Sequence, residues 1–185
     1  MLTRLVHPLN VERSARLLYT RIVQQARRTE FYTAHDVPDT LDGRFEMIAL
    51  HTFLVLHRLK RMGAEPLAQA LFDVLFLDMD ENLREMGVGD LSVGKRVKQM
   101  IRAFYGRIAA YEAGLEAAPG ALEAALERNL YGTVCPGPEA LAGMAAYLRR
   151  EAAALAGQNG TMLSNGILSF GVPSGAEAGR QETTP

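Results

Sequence analysis

The residues best suited to metal binding are two histidines, His51 and His57, which lie six positions apart in the chain. On an α-helix that spacing separates two side chains by about 240° in projection, so the pair cannot hold one ion from the same helix. The sequence also lacks the HxxxH, HExxH and CxxC spacings that bring two ligands to one side of a metal. We therefore interpret both histidines as hydrogen-bonded core or boundary residues, and we predict neither a metal site nor a cofactor.

A second candidate site is the acidic run DMDENLRE, which begins at Asp78. Asp78, Asp80 and Asn82 match the first three ligand positions of an EF-hand loop. Leu83, however, stands where that loop requires glycine, so we do not expect a calcium site. Cys135 has no histidine near it in the sequence, and the GxSxG motif of serine hydrolases is absent. These residues give no positive support for an enzyme.

Two basic rows on a predicted long helix are better candidates for binding. Their members are Lys95, Lys98 and Arg102 in the first row, and Arg96 and Arg107 in the second. Residues at i, i+3 and i+7 share one helix face, so the first row can follow an anionic surface. Two interpretations stay open: a solvated face, with or without pairing to the acidic end of the preceding helix, or a docking site for acidic protein, phosphate backbone or lipid headgroups. Tyr105 lies at the border of this face and is the best candidate for an exposed aromatic residue.

The bulk composition describes an ordinary soluble globular domain. The chain has 185 residues, a formal net charge of −1 and one cysteine, which fits a reducing compartment. The charge balance offers no bulk attraction to nucleic acid or to anionic membranes. The N-terminal MLTRLVHPLN lacks the apolar stretch of a secretory signal, and no apolar run approaches the roughly 20 residues of a membrane span.

The elements that must position these side chains are helices. Residues 41–62 carry apolar side chains in nearly every direction of the helical projection, which is typical of a helix buried among others. We predict that Asp39 caps this central helix and that Gly63 ends it. Five more helices are predicted at residues 11–28, 66–86, 91–117, 119–129 and 138–156, with an extended connection over residues 30–39.

These elements predict an all-α, single-domain bundle of about six helices around a buried central helix. The first helix is expected to be capped by Asn10 and the longest by Asp90 or Ser92. Gly106 interrupts the longest helix, which suggests a close approach by a neighbouring helix. We assign residues 1–156 to the helical domain and residues 157–185 to a mostly disordered, flexible C-terminal tail, in which GILSFGV could pack or form a short strand.

Three stretches, taken in their order along the chain, resemble one known family. They are FYTAHDVPDTLDGRFEMIALHTFLVLHRL, LFDVLFLDMDENLREMGVGDLSVGKRVKQM, and AFYGRIAAYEAGL with the later LERNLYG. Together they resemble the ubiquinol–cytochrome c chaperone family over about residues 31–130. Phe53 departs from the family, which usually has a tryptophan after the central histidine.

The resemblance implies an all-helical protein without catalytic residues that assists assembly of the respiratory cytochrome bc1 complex. Mitochondrial members bind newly made cytochrome b and can act at the ribosome exit. Because MLTRLVHPLN shows no mitochondrial targeting segment, we expect a bacterial member that is cytoplasmic or peripheral at the inner membrane. The expected partners are nascent cytochrome b or another bc1 subunit, and a ribosome or membrane surface, without specific DNA binding.

A chaperone of this kind should hold an apolar groove beside a basic rim. From the helical projection, and not from the family, we assign the groove to Tyr32, Phe45, Phe104, Tyr105 and Tyr111, and the rim to Lys95, Arg96, Lys98, Arg102 and Arg107. Two other classes stay open. A helical enzyme or carrier would hold a small amphipathic ligand in an enclosed cavity with two convergent polar groups, whereas a structural adaptor would present a flat surface.

Overall fold

The computed structural model describes residues 3–117, 120–132 and 134–173. Within these ranges the regular structure is helical and contains no strand, which confirms the predicted all-α class. One π-helical turn, Glu127–Tyr131, follows directly after α6. The α-helices are α1 (Thr3–Ala26), α2 (Glu30–Thr33), α3 (Leu41–Arg61), α4 (Glu65–Glu85), α5 (Asp90–Glu116), α6 (Ala121–Leu126), α7 (Pro138–Gly157) and α8 (Gly160–Ser164).

Helix α3 is the centre of the bundle, as the sequence predicts. Nine consecutive residues, 47–55, are buried, so two and a half turns of this helix have no solvent-facing side. Helices α1, α4 and α7 all pack against it. The predicted cap is wrong by one residue: the Thr40 hydroxyl accepts the Gly43 N–H at 3.1 Å, whereas Asp39 pairs with Arg44 at 2.6 Å.

Three other helix boundaries differ from the prediction. Helix α1 begins before Asn10, so Asn10 lies inside the helix and does not cap it. The connection predicted to be extended contains the short helix α2, which places Phe31 in the core. Helix α5 is preceded by Gly89 as its N-cap, without a side-chain hydrogen bond, so neither Asp90 nor Ser92 caps it.

The close helix approach predicted at Gly106 is found at Gly114 instead. A Cβ atom at Gly106 would meet no atom within 4 Å. A Cβ atom at Gly114 would lie 2.8 Å from the Cα atom of Leu122, where α6 crosses α5. The two glycines therefore have different roles, because only Gly114 allows two backbones to come close.

The prediction of a mostly disordered C-terminal tail is wrong for residues 157–173. Asn159 caps α8 by accepting the N–H of Thr161 at 2.8 Å, and Leu163 in that helix is fully buried. The GILSFGV segment packs without forming a strand, since Leu168 is buried and Phe170 contacts the core. Residues 174–185 of the predicted tail lie outside the described residues.

Candidate partner-binding surface

Helix α5 divides into an inner apolar face and an outer polar face. Val93, Phe104 and Tyr111 follow one another along the inner face and are buried. Phe104 lies edge-on to Phe76 of α4, with ring centroids 5.8 Å apart. This packing fixes the rotation of α5 about its axis and so turns the opposite face outward.

The outer face carries the first predicted basic row, which we call the basic stripe: Lys95, Lys98 and Arg102. All three side chains are exposed, as is Arg96 beside them. Within the part of the chain that the structure describes, none of these four cations has a carboxylate within ion-pair distance. The basic stripe therefore has no internal neutralising partner.

The acidic end of α4 forms no ion pair with the basic stripe among the described residues, and two of its carboxylates have other partners. Asp78 accepts a hydrogen bond from the Tyr19 hydroxyl at 2.7 Å. The Arg84 guanidinium pairs with Asp80 at 2.6 Å and also with Asp90. The structure therefore shows no pairing of the basic face with α4 within the described ranges, and both the solvated-face and the docking interpretation stay predictions.

Arg107, assigned to the rim, has a structural partner instead. Its guanidinium donates two hydrogen bonds to the Glu46 carboxylate of α3, and both side chains are largely shielded from water. Burial raises the pKa of Glu46, and Arg107 opposes that rise by pairing with the charged form. Arg107 therefore joins α5 to α3 and is not a free cation of the rim.

The predicted apolar groove does not form from the five assigned residues. Phe104 and Tyr111 are buried in the core, and Phe45 is half-buried against it. Tyr32 is also half-buried, and its hydroxyl donates to the Ala26 carbonyl at 2.8 Å. Tyr105 alone among the five is strongly exposed, at 57%, as the sequence predicts.

Two exposed apolar side chains flank the basic stripe. Tyr105 lies on the same side of α5 as Lys98 and Arg102, and its ring centroid is 5.5 Å from that of Phe72. At the other end Leu91 is completely exposed at the start of α5. Sequence reasoning missed Leu91, although its position one turn before Lys95 was the available signal. The outer face thus has cations along its middle and an exposed apolar side chain at each end. This combination is suited to a surface with anionic groups on the outside and an apolar layer beneath them.

The two histidines have the structural roles that the sequence predicts. His51 is fully buried; its Nδ1 contacts the Met47 carbonyl at 2.7 Å and its Nε2 contacts the Tyr147 hydroxyl at 2.8 Å. Burial lowers the pKa of His51 to about 4, so the imidazole is neutral at physiological pH. His57 lies at the boundary of the core, with Nδ1 3.5 Å from Glu112.

A second basic feature, not anticipated from the sequence, is a cleft of about 500 Å³ between α3, α5 and α7. The cations along it are Arg58, Arg61 and Arg149, and small alanine side chains of α7 form another part of its lining. Arg149 is bound by Glu123 at 2.9 Å, and Arg58 donates to the Gln158 carbonyl at 3.1 Å. The cleft opens to solvent, so it is not the enclosed cavity expected of a small-ligand carrier.

Within the described ranges, every helix is too short or too polar to cross a bilayer.

Comparison with known proteins connects this scaffold to one family. A family model described as ubiquinol-cytochrome C chaperone matches residues 33–170. The match thus extends past the predicted 31–130 and includes α7, α8 and part of the C-terminal segment. A crystal structure of the Cbp3 homolog from Brucella abortus is similar, with a TM-score of 0.80, 37% identity, and coverage of 95% of this chain and 99% of that chain.

Two relatives of this chain are both described as ubiquinol-cytochrome c reductase complex assembly factor 1. The ubiquinol-cytochrome-c reductase complex assembly factor 1 of Xenopus laevis is 27% identical over 136 residues, which are 72% of this chain and 68% of that protein. The human protein of the same description is 28% identical over 156 residues, 83% of this chain and 52% of that protein. This chain therefore spans about half the length of the human relative. The family match over most of the chain and the shared helical fold show that the chain belongs to the ubiquinol–cytochrome c chaperone family.

Proposed function

We propose that this protein is a non-enzymatic chaperone for assembly of the cytochrome bc1 complex, and that it binds a newly made hydrophobic subunit such as cytochrome b. The observation that carries the proposal is the family match over residues 33–170. The Brucella homolog, similar over nearly the whole of both chains, supports a bacterial setting. We propose that the protein works at the cytoplasmic face of the inner membrane, where such a subunit is inserted.

The outer face of α5 is the surface that we assign to docking near the site of insertion. Its cations are exposed, and no carboxylate of the described residues forms an ion pair with them. Binding a polyanion would therefore not require existing ion pairs to be broken. Leu91 and Tyr105 add apolar contact at its two ends. Phospholipid headgroups and ribosomal RNA both present a dense array of phosphates to such a surface.

Affinity purification tests the proposed client. The tagged full-length chain, captured from cells that synthesise the bc1 complex, should retain cytochrome b or another bc1 subunit more strongly when membrane-protein synthesis is active than after it is blocked. Deleting the gene should lower the amount of assembled bc1 complex and leave a second respiratory complex unchanged. Normal bc1 levels in the deletion strain, together with no bc1 subunit in the purified material, would exclude the proposal.

A further inference from the structure

The segment after α8 lies in a groove between α1 and α7. We call residues 166–173, GILSFGVP, the C-terminal strap; none of its eight residues carries a charged side chain. It contains neither helix nor strand. Gly166 begins the strap with a positive φ of 80°, close to Leu17 of α1, where a Cβ atom would lie 2.7 Å from the Leu17 side chain. The chain then passes over α3 toward α7.

Side chains from the groove walls bind the main chain of the strap. Gln25 of α1 donates to the Gly171 carbonyl at 2.8 Å. The Gly171 N–H donates to Glu151 of α7 at 2.8 Å, and Arg150 donates to the Val172 carbonyl at 2.9 Å. The walls thus recognise backbone atoms, which every polypeptide segment presents.

Gln158, just after α7, adds two further bonds of the same type. Its amide nitrogen donates to the Ser169 carbonyl at 2.6 Å, and its amide oxygen accepts the Ser169 N–H at 3.3 Å. All five of these bonds join a side chain outside the strap to main-chain atoms within it. None of them uses a side-chain atom of the strap, so a different extended sequence could make the same bonds if it has glycine at the position of Gly171, where a Cβ atom would lie 2.6 Å from Glu151.

The strap side chains of Leu168 and Phe170 point into the protein, Pro173 is also buried, and two other side chains are exposed. Leu168 is buried, and Phe170 packs edge-on to His51 with ring centroids 5.2 Å apart. Ile167 and Val172 are 52% and 54% exposed. The groove therefore selects two large apolar residues separated by one position, followed by glycine, and leaves the side chains of Ile167 and Val172 free to vary.

The strap covers two polar groups of the groove walls. With the strap in place Glu151 is 1% exposed and Gln25 is 8% exposed, and removing the strap would return both to water and leave them their bonds to Arg150 and Tyr147. A second peptide that offers the same main-chain groups would cover both again and replace the bonds to the strap. The groove is thus suited to the exchange of one extended segment for another.

We propose that this groove binds an extended, uncharged, apolar segment of a partner polypeptide, and that the C-terminal strap occupies the groove in cis until such a segment displaces it. The inference deepens the proposed function, on which it rests, by naming a binding site for the client. The strap is tethered to the protein and therefore competes at a high effective concentration. A free peptide binds only the open groove, so its apparent affinity is its intrinsic affinity multiplied by the fraction of protein in which the groove is open.

A competition experiment on the full-length chain tests this inference. The probe is a fluorescently labelled peptide with the strap sequence GILSFGVP, and its dissociation constant is measured by anisotropy. Replacing the inward side chains, Leu168→Ala with Phe170→Ala, should weaken the strap and tighten binding of the probe at least 10-fold. The matched control replaces the outward side chains, Ile167→Ala with Val172→Ala, and should stay within about twofold of wild type. Equal affinities of the inward and outward variants would overturn the inference.

A second measurement on the wild-type protein does not depend on how well the variants fold. Millimolar unlabelled peptide should accelerate hydrogen–deuterium exchange at the strap amides, including that of Gly171, and leave exchange in α5 unchanged. A peptide with alanine at the two inward positions should have no effect. If saturating peptide does not accelerate exchange, the strap is a permanent part of the fold and the inference fails. Retention of bc1 subunits in the affinity purification would then leave the proposed function intact, so the two failures are distinguishable.

Discussion

The imidazole of His51 is enclosed by aromatic side chains from three directions. Phe31, Tyr147 and Phe170 all have ring centroids within 5.7 Å of it. It contributes one bond to its own helix and one to Tyr147, whose hydroxyl also accepts from Gln25 of α1 at 2.9 Å. A single neutral histidine thus joins α3 to α7 and, through Tyr147, to α1.

Acidification should destabilise the fold through His51. Its pKa is lowered to about 4 in the folded chain, from an ordinary value near 6.5, so the unfolded chain binds the proton first. Stability is therefore unaffected above about pH 6.5 and falls as the pH drops from there toward 4. We expect this histidine to remove about 2 kcal/mol from the free energy of unfolding between pH 7.5 and pH 5.

Urea unfolding at the two pH values measures this effect. The variant His51→Gln cannot titrate in this range, so its loss of stability on acidification should be smaller than that of the wild type by about the same 2 kcal/mol. An identical pH dependence of both proteins would show that His51 is not the responsible group.

Two buried tyrosines should respond in opposite ways to loss of the hydroxyl. Among the described residues, the Tyr111 hydroxyl has no hydrogen-bond partner, whereas that of Tyr147 bonds to both His51 and Gln25. Tyr111→Phe should leave stability unchanged or raise it by about 1 kcal/mol, because it removes an unsatisfied polar group. Tyr147→Phe should lower it by about 1–3 kcal/mol, because two buried partners lose a bond. Chemical denaturation compares them, and equal losses would contradict this account of the Tyr111 hydroxyl.

At the scale of elements, Gly106 and Gly114 of α5 form a matched pair. Gly114→Ala places a methyl group 2.8 Å from the Cα atom of Leu122 and must push α6 away, so we expect a loss of about 1–3 kcal/mol. Gly106→Ala meets no atom within 4 Å, and alanine is the better helix former, so we expect a gain of about 0.5–1 kcal/mol. Unfolding of both variants in denaturant checks the signs. A loss at Gly106 equal to that at Gly114 would mean that α5 also has a close neighbour at its middle.

The helices were predictable where the signal is local and periodic. Helix α3 was located because its apolar residues leave no polar side, and its burial at residues 47–55 follows from that pattern. The strap was not predictable, because its order depends on Gln25 and Glu151, which are distant in sequence and polar in type. Gly114 was missed for the same reason: nothing in α5 itself indicates that Leu122 returns beside it.

The candidate surface was predictable in part. Exposure of the basic stripe and of Tyr105 follows from the helical projection of α5. The projection also placed Arg107 outward, since it cannot show that Glu46 of α3 approaches that side. Phe104 and Tyr111 were assigned to a groove although their apolar type and spacing suit a core equally well. A projection of one helix separates its faces but does not reveal which of them a second helix covers.

At the scale of the whole molecule, charge is balanced in total but not in distribution. The net charge is −1, yet the outer face of α5 carries a basic stripe whose cations have no carboxylate partner among the described residues. Any attraction to phosphate-rich surfaces must therefore be local, and it should weaken as ionic strength rises because exposed charges are screened.

Reversing the basic stripe should strongly weaken binding to anionic surfaces without unfolding the protein. Lysines and arginines near an anionic bilayer each contribute about 1 kcal/mol, so the triple variant Lys95→Glu, Lys98→Glu and Arg102→Glu should sediment with anionic phospholipid vesicles about 100-fold more weakly. The same reversal should reduce sedimentation with ribosomes if RNA phosphate is the surface recognised. Because all three side chains are exposed, the circular dichroism and the unfolding midpoint should change little.

The control for this prediction must change the net charge equally at another place. Three exposed arginines of α1, Arg13, Arg16 and Arg21, allow the same six-unit change in charge when each is replaced by glutamate. Electrostatic steering by net charge alone would weaken binding by the same factor in both triple variants, whereas docking through α5 would leave the α1 variant closer to wild type. Sedimentation of the α5 variant at the wild-type level with both vesicles and ribosomes would remove the basic stripe from the mechanism, because a docking face cannot tolerate reversal of its central charges.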